Sequence, residues 1–288
     1  MQLTNATANN LNRVNLLVEN NFKKCSCCNL PLPSWVELSV IDYCNRKCVF
    51  CPKSNDLIAP NHKHLYMDMN LIKKIVTDLK NINFCGVVLL AGYGEPMASP
   101  ILMDIIKEIS PHYKTEIVTN GDYITPEKII TMINHGISTI NISVYSSENR
   151  YKNLIKMFKA LNIPENKYIL RDRWYKEDKN YGVKLTNRAG TVHVGNQPII
   201  NNNTKCYYPF YSMMIDWNGD VLLCPQDWHR KVKFGNVNNN NIHDIWFNEY
   251  YKKYRDTLYK GIRNILPCSL CNCEGTCHGK NHAEGFYK

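Results

Sequence analysis

The stretch Cys44-Asn45-Arg46-Lys47-Cys48-Val49-Phe50-Cys51 spaces three thiols as C-x3-C-x2-C. Three thiolates on one short loop can hold three irons of a [4Fe–4S] cube, whose full ligation takes four cysteines. The missing ligand leaves one iron open to chelation by an external molecule. Zinc sites usually show CxxC pairs instead. A second reservoir lies at the other end of the chain. Cys206 and Cys224 frame a C-x12-G-x4-C pattern, and Cys268, Cys271, Cys273 and Cys277 follow as C-x2-C-x-C-x3-C. Four thiolates suffice for one closed cluster and six are too few for two clusters held by cysteine alone. One auxiliary cluster is therefore expected, with a structural zinc ribbon on the same pairs as the alternative. His278 or His282 could complete a second site. Cys25, Cys27 and Cys28 could assist a metal but read more plainly as free surface or part-buried cysteines, and Cys85 as a core residue.

These thiols need elements to place them. WVELSVI (35–41) alternates like a strand and delivers the first cysteine loop. Residues 71–79 repeat apolar positions at helical spacing. GVVLLAG (86–92), TEIVTNG (115–121), STINISV (138–144) and KYILRDRW (167–174) read as strands, and VKLTNRAG (183–190) as another. Helices are expected at 101–109, 126–133 and 149–161, the second opening on Pro126. Short strands alternating with helices of about ten residues mean βαβ units and a parallel sheet. Five or six units fall short of the eight that close a (β/α)8 barrel. The expected fold is α/β, a partial (β/α)6 TIM barrel with a small Cys-rich α+β module. Residues 1–34 read as an extension, 35–200 as the core and 201–288 as the module. In that module YSMMIDWNGDVLLC (211–224) reads as a hairpin turning at Asn218-Gly219, followed by one aromatic helix over 242–259.

Composition narrows the function classes. The chain has 288 residues, 44% of them hydrophobic, enough for a sizeable core. No apolar run approaches the ~18 residues of a spanning helix, so no membrane partner is expected. The first residues lack a charged start followed by an apolar stretch, so a cytoplasmic, reducing setting is expected, where clustered cysteines bind metal rather than pair. Thirteen cysteines in that setting argue against a disulfide scaffold. The net charge of +10 is spread along the chain. Basic and aromatic residues do mix between Trp228 and Arg263, which can bind nucleic acid, but a solvated helix face is the plainer reading.

The cysteine loop, with the aromatic Phe50 before its last thiol, resembles the signature of the radical SAM superfamily. Gly92-Tyr93-Gly94-Glu95-Pro96 looks like the Gly-Gly-Glu motif of that family, with Tyr93 inserted between the glycines. Asn120 in Thr119-Asn120-Gly121 and Ser143 fall where the family contacts its cofactor. The C-terminal cysteines resemble the SPASM/Twitch extension, although only Asn272 separates Cys271 from Cys273. The resemblance implies S-adenosylmethionine (SAM) on a catalytic [4Fe–4S] cluster held by Cys44, Cys48 and Cys51. Phe50, Gly92, Gly94, Glu95, Pro96, Asn120 and Ser143 would bind the cofactor. It also implies at least one auxiliary [4Fe–4S] cluster, with Cys206, Cys224, Cys268 and Cys271 as its first ligands and Cys273 and Cys277 as substitutes.

An auxiliary cluster that accepts an electron turns hydrogen abstraction into a two-electron oxidation. Twitch-type cyclitol dehydrogenases are the similar pattern, and Arg188 matches their substrate-facing arginine by position. The expected activity is oxidation of a hydroxyl-bearing, cyclitol- or sugar-like small molecule, fed by a one-electron donor such as flavodoxin or ferredoxin. Modification of a ribosomal peptide or protein side chain is the alternative enzyme reading. Only 34 residues precede the core, too few for the peptide-recognition domain many such enzymes carry. A non-catalytic zinc protein that binds nucleic acid is the alternative from another class.

Overall fold

The computed structural model describes residues 5–200 and 203–288. Helix α1 (Asn5–Asn20) leads into β1 (Trp35–Ser39), β2 (Ile41–Asp42) and β3 (His62–Tyr66). Then come α2 (Met69–Asn81), β4 (Val87–Ala91), α3 (Leu102–Ile109), β5 (Lys114–Thr119), α4 (Pro126–Asn134), β6 (Thr139–Val144), α5 (Glu148–Ala160) and β7 (Tyr168–Asp172). The last part holds α6 (Tyr208–Tyr211), β8 (Ser212–Ile215), β9 (Asp220–Leu222), β10 (Lys233–Asn236), α7 (Ile242–Phe247), α8 (Glu249–Tyr259) and α9 (Lys280–Gly285).

Local sequence explains the core helices. Asp68, Thr125 and Ser147 each accept a backbone N–H of the first turn of α2, α4 and α5, satisfying donors that a helix start leaves orphaned. The sheet order is β10-β9-β8-β1-β4-β5-β6-β7. β1, β4, β5, β6 and β7 are parallel neighbours in turn. The sixth parallel strand is β8, which pairs with β1 from the far side of the chain. The sheet thus runs without a break from the core into the Cys-rich part.

Alternation along the strands gives the sheet two apolar faces. Val36, Leu38, Val88, Leu90, Ile117, Ile140 and Ile142 pack outward in one core with Ile72, Ile75, Ile106, Ile129 and Phe158 of the helices. Trp35, Val87 and Leu89 point the other way and meet Val14, Leu17 and Val18. This corrects the reading of residues 1–34 as a mere extension. α1 lies on the inner face of the sheet with Val18 fully buried. Arg13 reaches the fully buried carboxylate of Glu116 on β5 through bonds of 2.5 and 2.8 Å. An unpaired carboxylate there would be costly, so the ion pair ties α1 to one register.

Two further expectations are corrected. Residues 183–190 form no strand: Arg188, Ala189 and Gly190 have φ of 47, 51 and 87°, and the segment turns. Its polar groups are met by the tail instead of a ladder. Asn187 takes the side-chain oxygen of Asn272 on its N–H (2.8 Å) and donates its amide to the Leu270 carbonyl (2.7 Å). The aromatic helix over 242–259 is two helices. Asn248 leaves helical geometry and caps α8 by accepting the Tyr251 N–H at 2.7 Å.

Candidate active site

The loop between β2 and β3 carries Cys44, Cys48 and Cys51. Its two ends are joined by Lys53, whose side chain is 1% exposed. The ammonium donates to Asp42 Oδ1 (2.9 Å), the Asp42 carbonyl (3.1 Å) and the Pro60 carbonyl (2.7 Å). The Cys51 N–H donates to the Cys48 carbonyl (2.9 Å), and the Cys44 N–H to Asn61 Oδ1 (3.0 Å). Burial pushes the Cys44 thiol up to about 11 and the Cys48 thiol up to about 12, and negative charge on the neighbouring cysteines adds to both. Three thiols so placed do not ionise together unaided; metal cations supply the missing charge. The donor set therefore fits an iron–sulfur cluster with an open position.

Beside Cys44 sits the Gly92–Pro96 turn. A Cβ on Gly92 would come within 2.5 Å of the Ser39 side chain, and one on Gly94 within 2.1 Å of the Ile41 carbonyl. Only glycine lets this turn lie against β1 and β2. The Glu95 carboxylate is 3% exposed and accepts from Thr119 Oγ1 (2.5 Å), Asn120 N–H (2.7 Å) and Met97 N–H (3.0 Å). Burial raises its pKa; these donors oppose the rise. Glu95 thus fixes the end of β5, and Asn120 Nδ2 bonds Asn45 Oδ1 (2.8 Å) and stands 3.9 Å from Cys44 Sγ. Tyr93, the inserted residue, is buried. Its hydroxyl donates to the Asp227 carbonyl (2.9 Å) and stands 3.3 Å from that of Cys224, and its ring packs on Trp228. The insertion is a strut from this turn to the Cys-rich part.

A cavity of about 700 Å³ separates the two cysteine regions. Phe50, Ser143 and Arg171 line one side, and Arg188, Cys271 and Cys273 the other. Gly92, Gly94, Glu95, Pro96 and Asn120 stand outside this lining. Arg171 is half-buried, with its Nε buried and unpartnered, and desolvation followed by the like charge of Arg173 lowers its pKa to about 10. A half-buried cation with a buried, unpartnered nitrogen at a cavity wall suits an anionic group such as a carboxylate. The charge of Arg188 is felt by Cys51 on one side and by Cys271 and Cys273 on the other.

Three residues escaped the sequence reading. Glu37 on β1 points inward; burial raises its pKa to about 7, opposed by the charge of Arg188. The signal was available: a lone charge in the alternating strand WVELS. Asn10 and Leu11 of α1 line the cavity. The helical spacing of Leu11, Val14 and Val18 could have revealed them.

In the C-terminal part Cys206, Cys224, Cys268, Cys271 and Cys273 face one narrow pocket. Burial raises Cys224 well above the ordinary thiol value, and Cys268, Cys271 and Cys206 add to it. Buried Arg263 sits against them, its guanidinium donating to the carbonyls of Thr204, Lys205, Cys273 and Glu274 at 2.6–2.9 Å. Several buried thiols beside a fixed cation suit an anionic metal–thiolate cluster. Cys277 lines the large cavity instead, near Glu274. His282 is fully buried against Phe22 and Tyr211, away from these thiols, and His278 bonds Asn15 (3.3 Å). The basic stretch 228–263 is not one surface: Arg230 bonds Asp42 and Asp216, and Arg255 and Arg263 are buried on backbone carbonyls. Among the described residues no helix is long and apolar enough to cross a membrane.

Comparison with known proteins agrees with this geometry. The radical SAM superfamily model matches residues 38–162, and that of the SPASM iron–sulfur cluster-binding domain matches 206–274. The S-adenosyl-L-methionine-dependent 2-deoxy-scyllo-inosamine dehydrogenase of Niallia circulans is 26% identical over 245 residues, 83% of this chain and 92% of that one. The crystal structure of BtrN in complex with AdoMet and 2-DOIA superposes with a TM-score of 0.71 at 26% identity, over 84% of this chain and 94% of that one. An AdoMet-bound structure of anSMEcpe shares the fold alone, with a TM-score of 0.52 at 12% identity over 88% and 96% of the two chains. The chain carries a radical SAM domain and a SPASM iron–sulfur cluster-binding domain, and so has the make-up for a catalytic and at least one auxiliary [4Fe–4S] cluster.

Proposed function

We propose that the protein oxidises a secondary alcohol of a cyclitol- or sugar-like small molecule to a ketone. The observation that carries this is the place of Arg188, on the wall of the cavity between Cys51 and the Cys271–Cys273 pair. Cys44, Cys48 and Cys51 would hold the catalytic cluster, and Cys206, Cys224, Cys268 and Cys271 the auxiliary one. With SAM bound and a flavodoxin- or ferredoxin-like electron donor, the first cluster would supply hydrogen-abstracting chemistry and the second an electron acceptor. The chain's residues do the rest. Phe50, Ser143 and Arg171 would seat SAM; Gly92, Gly94, Glu95, Pro96 and Asn120 would shape the turn beside it. Arg188 would hold the substrate oxygen as its proton leaves, since negative charge develops there. Glu37, poised at about 7 behind Arg188, sets the charge balance under which that proton departs.

The size of the cavity supports a small substrate. About 700 Å³ takes a nucleoside cofactor and a ring of similar size, within the usual range of small-molecule sites. The 26% identity to a cyclitol dehydrogenase supports the same class. The test is anaerobic turnover with a panel of ring-deuterated aminocyclitols, cyclitols and sugars. Deuterium should move into 5′-deoxyadenosine, with one ketone formed per SAM cleaved. Arg188→Gln should cut ketone formation roughly 100-fold while SAM cleavage continues. Transfer from peptides but from no polyol would overturn the reading.

A further inference from the structure

Among the described residues, one group of thiols lies outside both iron–sulfur regions and is gathered more tightly than either. Cys25, Cys27, Cys28 and His243 each present one ligand atom, and these four atoms lie within 4.8 Å of one another. Of the two readings the sequence allowed, this gathering favours assistance to a metal, and it adds His243 to the three thiols. Cys27 Sγ is 2.8 Å from Cys25 Sγ and 3.2 Å from His243 Nε2, and Cys25 Sγ is 3.7 Å from the same nitrogen. We infer that these four side chains form a mononuclear metal site, Cys3His, that takes zinc.

The spacing separates one ion from a cluster. Zinc–sulfur bonds of about 2.3 Å and zinc–nitrogen bonds of about 2.0–2.1 Å in a tetrahedron set ligand atoms roughly 3.3–3.8 Å apart. The separations of 2.8, 3.2 and 3.7 Å run from just below that range to within it, so a small shift of Cys27 brings the set around one ion. A cube puts each sulfur on its own iron and needs a wider ring. Three thiolates and one imidazole are also a donor set that zinc takes in closed structural sites.

The surroundings hold the ligands in place. The Cys25 N–H donates to the Leu30 carbonyl (2.8 Å) and the Asn29 N–H to the Cys25 carbonyl (2.9 Å), folding 25–30 into a tight turn. Trp246 Nε1 donates to the Pro31 carbonyl at 2.9 Å, fastening the turn to α7. His243 stands in the first turn of α7, and its other ring nitrogen is 3.2 Å from the Asp244 carboxylate. A metal-bound histidine ordinarily shows this partner, which selects the tautomer and aims Nε2 at the ion. The site joins chain segments 216 residues apart. It would anchor the end of α1, whose Asn10 and Leu11 line the large cavity, to the helix that follows the hairpin.

The test uses full-length, iron-reconstituted protein and zinc itself as the probe. Wild type should carry about one zinc per chain beyond its iron, and cobalt(II) loaded into zinc-stripped protein should show tetrahedral, thiolate-bound absorption. His243→Gln and Cys27→Ser should each lose zinc at least ~10-fold more readily to a chelator, with iron unchanged. Stripping zinc should speed trypsin cleavage at Lys23–Lys24 several-fold. Should a variant misfold and lose iron too, the cobalt spectrum of wild type decides. Zinc-free wild type without a cobalt spectrum would overturn the site. So would zinc held equally in both folded variants, or three thiols that are fewer until a reductant is added, which would mean a disulfide.

Discussion

The two iron–sulfur regions are built on opposite plans. The loop at Cys44–Cys51 takes its thiols from eight consecutive residues and is braced from within, by Lys53 across its ends and by backbone bonds between its own turns. The C-terminal region collects thiols from the start of α6, the end of the hairpin and the tail. It is braced from outside: by Arg263, by the Asn187–Asn272 pair and by Tyr93 of the opposite region. The first plan makes a site whose thiols are all local and whose distant contacts, Asn120 and Asp122, only steady it from one side. The second makes a site that exists only once the fold does.

That contrast can be broken or sharpened by mutation. The largest effect is expected from Cys44/Cys48/Cys51→Ala. Iron should fall from about eight to about four per chain, and SAM cleavage should vanish, with the circular dichroism of the protein unchanged. Iron at about four in wild type and none in the variant would leave no auxiliary acceptor. Next, Cys224→Ala should lower iron to about four and abolish ketone formation, whereas Cys277→Ala should keep about eight, because Cys277 faces the cavity. Equal losses in the two variants would erase the distinction drawn between them.

Smaller effects test the struts. Glu37 has its folded pKa raised to about 7 by burial. A raised carboxyl favours the fold below its unfolded value, and that contribution is lost as pH climbs through about 7. Glu37→Gln should therefore flatten the loss of stability between about pH 4.5 and 7, by up to about 3 kcal/mol, in melts across that range. A parallel shift at every pH would reject the titration. Tyr93→Phe should leave the Asp227 carbonyl short of its donor and cost about 1–2 kcal/mol in urea unfolding, with little change at the Cys44 loop.

The same contrast explains what could be read in advance. β4 was legible as a continuous apolar run and β5 and β6 as short β-branched stretches bounded by turn residues, and the Cys44 loop because its chemistry is local. α1 was passed over because six asparagines and a weak apolar stripe hide a helix whose stability comes from the sheet face beneath it. VKLTNRAG alternates like a strand, yet Asn187 finds its partners 85 residues away. Tyr93 was visible as an insertion, but its purpose lies 134 residues on at Asp227. His243 carried no signal at all until the fold set it beside Cys25 and Cys27.

One feature of the sheet bears on how the molecule is made. β1 has β4 on one side and β8 on the other, so its second edge stays open until the chain has run on through Ile215. A ribosome would release most of the core with that edge bare, and bare edges invite pairing with other chains. Closing the sheet is a contact of long sequence separation and so a late folding event. The auxiliary cysteines flank that closing strand, which makes completion of the sheet a precondition for loading the second cluster. Expression at low temperature with slow synthesis should favour soluble, fully iron-loaded protein for this reason.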